Sequence, residues 1–231
     1  KTLRALGVTR DLPEVPAVML GAVELTPFEV TRMYLTLAAG GFRLHLRAIH
    51  AVTDKDGKPL ASYPLSVEQK LDPAAVFLVN TALQEVVRNG TARGLGRVLP
   101  GLNVAGKTGT TNDSRDSWFA GFTGNTVAAV WVGMDDNSET GLYGASGAMR
   151  IWADLIGRLP AVPLTLAEPP GIHWVQAPDG PWLPAAQCPG GFGLPVLDGG
   201  VPPGAVSCDG AALPPPPDRN DDSWRWLRRL F

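Results

Sequence analysis

Ten consecutive residues, Val104-Ala105-Gly106-Lys107-Thr108-Gly109-Thr110-Thr111-Asn112-Asp113, gather a cation, several hydroxyls and two glycines behind an apolar lead-in. Such a set suits an anion: an ammonium supplies positive potential, hydroxyls donate, and glycine lets a ligand backbone come close. No other segment of the 231 residues concentrates binding chemistry in this way.

Two chemistries fit these letters. Gly101 to Thr108 satisfies the nucleotide-binding pattern G-x-x-x-x-G-K-[ST], and Val127 to Asp135 resembles an apolar run whose terminal aspartate would hold magnesium. A P-loop, however, follows a buried strand and opens a helix whose first amides cradle the phosphates. Here Arg97-Val98-Leu99-Pro100 precedes the motif, and Gly109 to Ser114 follows it with turn chemistry and no helical face. A P-loop nucleotide-binding protein is therefore the remote alternative.

The second reading makes Lys107 to Thr110 part of a strand. A period of two puts the Thr108 and Thr110 hydroxyls on one face, where both can hydrogen-bond a substrate carboxylate. Lys107 adds positive potential for the same anion, although its stem starts on the opposite face and must curl round. Gly109 allows a substrate backbone to approach the strand, and the Thr110 amide is then one oxyanion-hole donor.

The elements that must position this strand are legible around it. Thr26-Pro27-Phe28-Glu29 is a capping box with proline at the first helical position, and Gly40-Gly41 ends the helix it opens. Asp72-Pro73 opens a second helix, stopped at Asn89-Gly90. Residues 43–65 alternate around a turn at Lys55-Asp56-Gly57-Lys58 and predict a hairpin. Strands are expected at about 103–110, 116–123 and 126–134, the last two joined by a tight turn at Gly124-Asn125. Val127 to Met134 is apolar throughout, which predicts a strand covered on both faces. Ala148, Ile151, Trp152, Leu155, Ile156 and Leu159 recur at helical spacing, so a third helix is expected to cover the sheet. Residues 1–25 predict a helix end followed by extended chain.

At Pro160 the composition turns to proline, glycine and scattered tryptophan. Residues 161–213 are expected to form a small β-rich or irregular appendage, and Pro214 to Pro217 lead into an acidic, disordered tail over 214–231. Its end, Trp224 to Phe231, mixes aromatic and basic residues. The appendage holds the two cysteines, Cys188 and Cys208. A disulfide closing this loop and two separate thiols are both compatible with the residues alone.

A formal net charge of −2 gives no bulk reason to expect nucleic acid. No apolar run reaches the roughly 18–20 residues of a membrane span. His45, His50 and His173 lack metal-ligand spacing, so no metal site is expected from them. Asp116 and the pair Asp135-Asp136 flank strand ends, where turn roles are common. Trp118 lies where it could line the mouth of a site or pack in the core.

The neighbourhood of Lys107-Thr108-Gly109 gives the motif its specificity. In order, Glu24-Leu-Thr-Pro-Phe-Glu29, Ala38-Ala-Gly-Gly41, Val104 to Asp113, Arg115-Asp-Ser-Trp-Phe-Ala-Gly-Phe122, Val130-Trp-Val-Gly-Met-Asp-Asp-Asn137 and Leu142-Tyr-Gly-Ala-Ser-Gly-Ala-Met149 resemble the transpeptidase domain of class A, bifunctional penicillin-binding proteins, type 1B above all. The resemblance covers residues 1–160 and continues more loosely beyond. It implies an α/β fold, an antiparallel sheet flanked by helices, with residues 1–160 as the C-terminal part of that domain. It further implies a serine-type D-Ala-D-Ala transpeptidase or carboxypeptidase, with Lys107 and Thr110 as catalytic residues and Lys107 to Thr110 binding substrate.

The implied ligands are the D-Ala-D-Ala end of a peptidoglycan stem peptide and β-lactam antibiotics, no metal or organic cofactor is implied, and the implied partners are outer-membrane lipoprotein activators and division proteins. The periplasmic side of an inner membrane is the implied location, which favours the Cys188–Cys208 disulfide. The family also needs S-x-x-K and S-x-N elements. None of the five lysines has Ser or Thr three residues before it, and no serine has Asn two residues after it. The nucleophilic serine, the glycosyltransferase domain and the anchor are therefore expected upstream of Lys1. The alternative is a non-catalytic envelope interaction module.

Overall fold

The computed structural model describes residues 1–49, 51–176, 193–201, 206–210 and 213–214. His50, Cys188 and the tail from residue 215 lie outside the described residues. The chain forms two units, Lys1–Ala167 and Glu168–Phe231.

At the centre of the first unit is a three-stranded antiparallel sheet of β5 (Ala105–Thr110), β6 (Ser117–Phe122) and β7 (Val127–Val132), in the order β5-β6-β7. Lys107 pairs with Ala120, Thr108 with Phe119 and Gly109 with Trp118, while Trp118 pairs in turn with Trp131. The turn between β6 and β7 closes through Thr123 N to Thr126 O at 2.9 Å. Gly124 is required there, because a Cβ would meet Pro163 O at 2.6 Å while its own N–H donates to Val162 O. Leu164 is buried in the same unit. The segment after Pro160 is thus bound to the sheet as far as Ala167, despite its change in composition.

Cross-strand partners share a face, so the sheet has two distinct sides. One carries Phe119, Ala128, Val130 and Val132 and packs on α5 (Ala148–Gly157) through Ala148, Met149, Trp152 and Ile156. Phe119 and Trp152 meet edge-to-face with ring centroids 5.1 Å apart, and the Trp152 indole donates to Ala128 O. On the other side Ala105 and Phe122 pack with Tyr34, Leu37, Leu83 and Leu164. β7 is only half-buried and Trp131 is 40% exposed, so the strand is less covered than its apolar sequence predicts. The reason is local: around Trp118 and Trp131 this side opens into a cleft.

The capping box opens α2 (Pro27–Ala38) as its sequence predicts. Glu29 N donates to Thr26 Oγ1 at 3.2 Å, and Thr26 N donates back to the Glu29 carboxylate at 2.9 Å. That backbone bond first, together with Arg10, holds the Glu29 carboxyl below its ordinary range. Asp72 caps α3 (Pro73–Arg88) by accepting from Ala75 N. Asn80 ties α3 to α2 through Leu37 O, and Gln84 ties it to the start of the sheet through Asn103 O.

Elsewhere the local structure is finer than the sequence pattern. α1 (Thr2–Ala5) is one turn, and Pro16–Leu20 forms a 3-10 turn where extended chain was expected, with proline at its start and Gly21 in the left-handed region closing it. The predicted hairpin is two ladders in series: β1 (Phe42–Leu44) with β4 (Val67–Gln69), and β2 (Ala51–Thr53) with β3 (Pro59–Ser62). Asp54 Oδ1 closes its turn by accepting from Asp56 N and Lys58 N. A single turn, α4 (Leu95–Val98), buries Leu95 beneath α5.

In the second unit β8 (Ile172–Gln176) pairs antiparallel with β9 (Gly193–Leu197), and Ser207 bridges to Val175. Cys208 is buried and disulfide-bonded.

Candidate functional site

β5 is the outer strand of its sheet, so alternate residues turn their N–H and C=O away from β6. The Lys107 ammonium donates to Thr108 O at 2.7 Å, which identifies Thr108 as outward-facing. Thr110, two residues on, therefore turns its N–H to the same open edge. Thr111 is in the opposite phase and donates inward to Asp116 O at 3.2 Å. The Lys107 side chain leaves the sheet on the face of Trp118 and Ala120 and curls to the edge, bringing Nζ to 3.4 Å from Thr108 Oγ1. Partial desolvation lowers the Lys107 pKa from its ordinary value.

The Thr108 and Thr110 hydroxyls share the opposite face, and each has an internal neighbour. Thr108 Oγ1 lies 2.7 Å from Thr91 Oγ1, and Thr110 Oγ1 accepts from Gly144 N at 3.0 Å. Gly109 sits against the Trp118 side chain, where an added Cβ would approach Trp118 Cβ to 3.1 Å. A cation, an unpaired strand edge with a donor amide and a hydroxyl pair thus converge on one rim of the sheet.

That rim borders a cleft of about 820 Å³, lined among others by Lys107, Thr110, Trp118, Trp131, Tyr34 and Met33. Burial pushes the Tyr34 phenol up to about 12, so it stays neutral here. Trp118 lines this cleft and faces Trp131 with ring centroids 6.3 Å apart. Asp116 braces the floor: it accepts from Thr111 Oγ1 at 3.0 Å and from the Trp131 indole at 2.8 Å. Asp136 instead caps a turn by accepting from Ser138 N at 3.0 Å, and the Ser138 hydroxyl first, then this amide, lowers its pKa.

The nucleotide alternative does not survive this geometry. Gly106, Lys107 and Thr108 lie inside β5, and beyond Thr110 there is only a three-residue 3-10 turn, Asn112–Ser114. No helix N-terminus stands where phosphates would bind. His173 pairs with Asp198 in the second unit, and among the described residues no group of His, Cys, Asp and Glu is placed to hold a metal ion. Among them, too, no helix is long and apolar enough to cross a membrane.

Two residues at the rim went unmarked in the sequence, Thr91 and Gly144. Thr91 follows the Asn89-Gly90 helix stop and reads as loop, and its approach to a residue 17 positions away has no local signal. Gly144 carries one: Leu142 to Met149 is distinctive, but its amide's direction is set by tertiary packing.

Residues 16–156 match the penicillin binding protein transpeptidase domain. Penicillin-binding protein 1B of Escherichia coli is 47% identical over 169 residues, 72% of this chain and 20% of that protein. The 1B proteins of Haemophilus influenzae and Vibrio cholerae are each 40% identical, over 75% and 85% of this chain and 22% and 26% of their own lengths. The chain therefore spans about a fifth to a quarter of these relatives. Among solved structures, penicillin-binding protein 1A of Haemophilus influenzae superposes with a TM-score of 0.71 at 26% identity, over 87% of this chain and 36% of that one. With its sheet, its helices and the Lys-Thr-Gly strand in the matched region, the chain belongs to the penicillin-binding protein transpeptidase family and is part of such a domain of the class A, 1B-like kind.

Proposed function

We propose that this chain supplies the Lys107 wall of a D,D-transpeptidase site in a bifunctional protein that cross-links peptidoglycan stem peptides. The observation that carries the reading is the open edge of β5, where Lys107, Thr108 and the Thr110 amide lie together and, among the described residues, no strand pairs. A terminal carboxylate is held by the ammonium and the Thr108 hydroxyl, and Gly109 lets the peptide backbone lie along the edge.

The nucleophile comes from a serine outside these 231 residues. Its Oγ bonds to the carbonyl carbon of the penultimate D-Ala, the C–N bond breaks, and the terminal D-Ala leaves with a proton as its amine. The Thr110 N–H donates to the oxyanion that forms between these events. An amine from a second stem peptide then attacks the ester, forming the cross-link and returning the serine. A β-lactam carries an equivalent carboxylate and amide carbonyl and acylates the same serine. Partition to water in place of the amine gives carboxypeptidase activity.

In this reading residues 1–160, with the segment to Ala167 that stays with them, belong to the catalytic domain, the residues from there to 213 to a C-terminal appendage stapled by Cys188 and Cys208, and 214–231 to a tail. The protein works at the periplasmic side of the inner membrane, with lipoprotein activators and division proteins as partners of its remaining surface. The test is cross-linking by the full-length protein on lipid-linked disaccharide pentapeptide. Lys107→Ala is expected to abolish cross-linked products while glycan polymerisation continues; normal cross-linking by the variant would overturn the assignment.

A further inference from the structure

We infer that Thr91 is a positioning residue for the proposed site, orienting the Thr108 hydroxyl so that its proton points at the substrate carboxylate. The inference rests on the transpeptidase reading above and concerns a residue outside β5, in the turn that follows α3.

Thr91 is placed by constraints on both sides. Gly90 N donates to Glu85 O at 3.2 Å and Val86 O at 3.1 Å, closing the helix. A Cβ on Gly90 would lie 2.9 Å from Val86 Cα and O, so glycine is what lets the chain wrap this tightly. On the other side Ala92 is fully buried and donates to Val86 O at 3.1 Å. Between them Thr91 is exposed, with its Oγ1 2.7 Å from Thr108 Oγ1. The Gln84 bond to Asn103 O fixes α3 to the chain leading into β5, so the two hydroxyls are held from independent anchors.

Proton bookkeeping sets the direction of the bond. A hydroxyl has one proton and two acceptor sites, and an ammonium has only protons to give. Lys107 Nζ stands 3.4 Å from Thr108 Oγ1 and approaches it as a donor. When Thr91 also donates to Thr108 Oγ1, both acceptor sites are engaged and the Thr108 proton is left for the open edge. In the reverse orientation the Thr108 proton is spent on Thr91, and a lone pair faces the incoming anion. A carboxylate therefore selects the first arrangement, and Thr91 acts through Thr108 rather than by touching the substrate.

The experiment measures the second-order acylation rate constant of the full-length protein with a β-lactam bearing a free carboxylate and with its methyl ester. Thr91→Val keeps the shape and removes the proton. It is expected to slow acylation by the acid about fivefold to tenfold and to leave the ester nearly unchanged, so that the acid-to-ester preference shrinks. Thr91→Ser is expected to restore the preference, and the melting temperature of both variants to stay near that of the parent. Equal slowing of acid and ester, an unchanged acid rate in Thr91→Val, or no rescue by serine would overturn the inference while leaving the transpeptidase reading intact. A parent protein acylated by neither compound would overturn both.

Discussion

The Trp131 indole on β7 donates to Asp116 Oδ1 at 2.8 Å, and the other oxygen of that carboxylate accepts from Thr111 Oγ1 at the end of the Lys107 strand. One side chain just before β6 thus fastens the two outer strands to each other across the floor of the cleft. It also brings the Trp118 and Trp131 rings together beside Gly109. Asp116→Ala removes both acceptors. The expected result is a loss of about 1–3 kcal/mol in stability, read by denaturant unfolding, together with slower acylation of the full-length protein by β-lactams as the strand end loosens.

Gly144 is a second fastening with a steric readout. A Cβ there would stand 2.7 Å from both Gly109 O and Trp118 O, and the Gly144 amide holds Thr110 Oγ1. Because these obstacles are backbone, Gly144→Ala must push β5 and the 142–147 loop apart. The cost expected is about 1–3 kcal/mol, and acylation is expected to fall by more than the loss of folded protein explains. Thermal melting and acylation of the same sample separate the two effects.

Desolvation lowers the Lys107 pKa, so the folded state holds this proton less tightly than the unfolded chain. Where the lysine is charged in both states its desolvation costs stability, and that cost is relieved as pH rises from the folded pKa towards the unfolded one. For binding the consequence is opposite, because the deprotonated amine no longer attracts a carboxylate. Acylation by an anionic β-lactam is expected to fall on the alkaline side at a pH below the ordinary lysine range. In Lys107→Arg, whose guanidinium stays protonated, that loss is expected to move to higher pH. A profile of acylation rate against pH for the two proteins measures it.

Much of this arrangement is legible in the residues because it is local. The Thr26–Glu29 box, the Asp72-Pro73 cap and the Gly124-Asn125 turn each carry their own hydrogen-bond partners within a few positions, and each forms as its letters predict. The strand that holds Lys107 is likewise set by period and by the proline and turn residues around it. What the residues do not show is where tertiary packing decides. The Thr91 hydroxyl meets Thr108 only because α3 is braced at Gln84, and Trp131 is left half-open because the cleft interrupts an otherwise covered sheet face. Leu164 stays with the first unit although its composition reads as the start of the appendage, since Val162 and Leu164 make backbone bonds to Gly124 and Leu102.

In the proposed site β5 serves a serine that these 231 residues do not contain. Labelling with a fluorescent penicillin, followed by mapping of the modified peptide, tests it most directly. The full-length protein is expected to form a covalent adduct on a serine followed three residues later by lysine, and the 231-residue chain alone is expected to form none. A serine-linked adduct within these 231 residues would contradict the account.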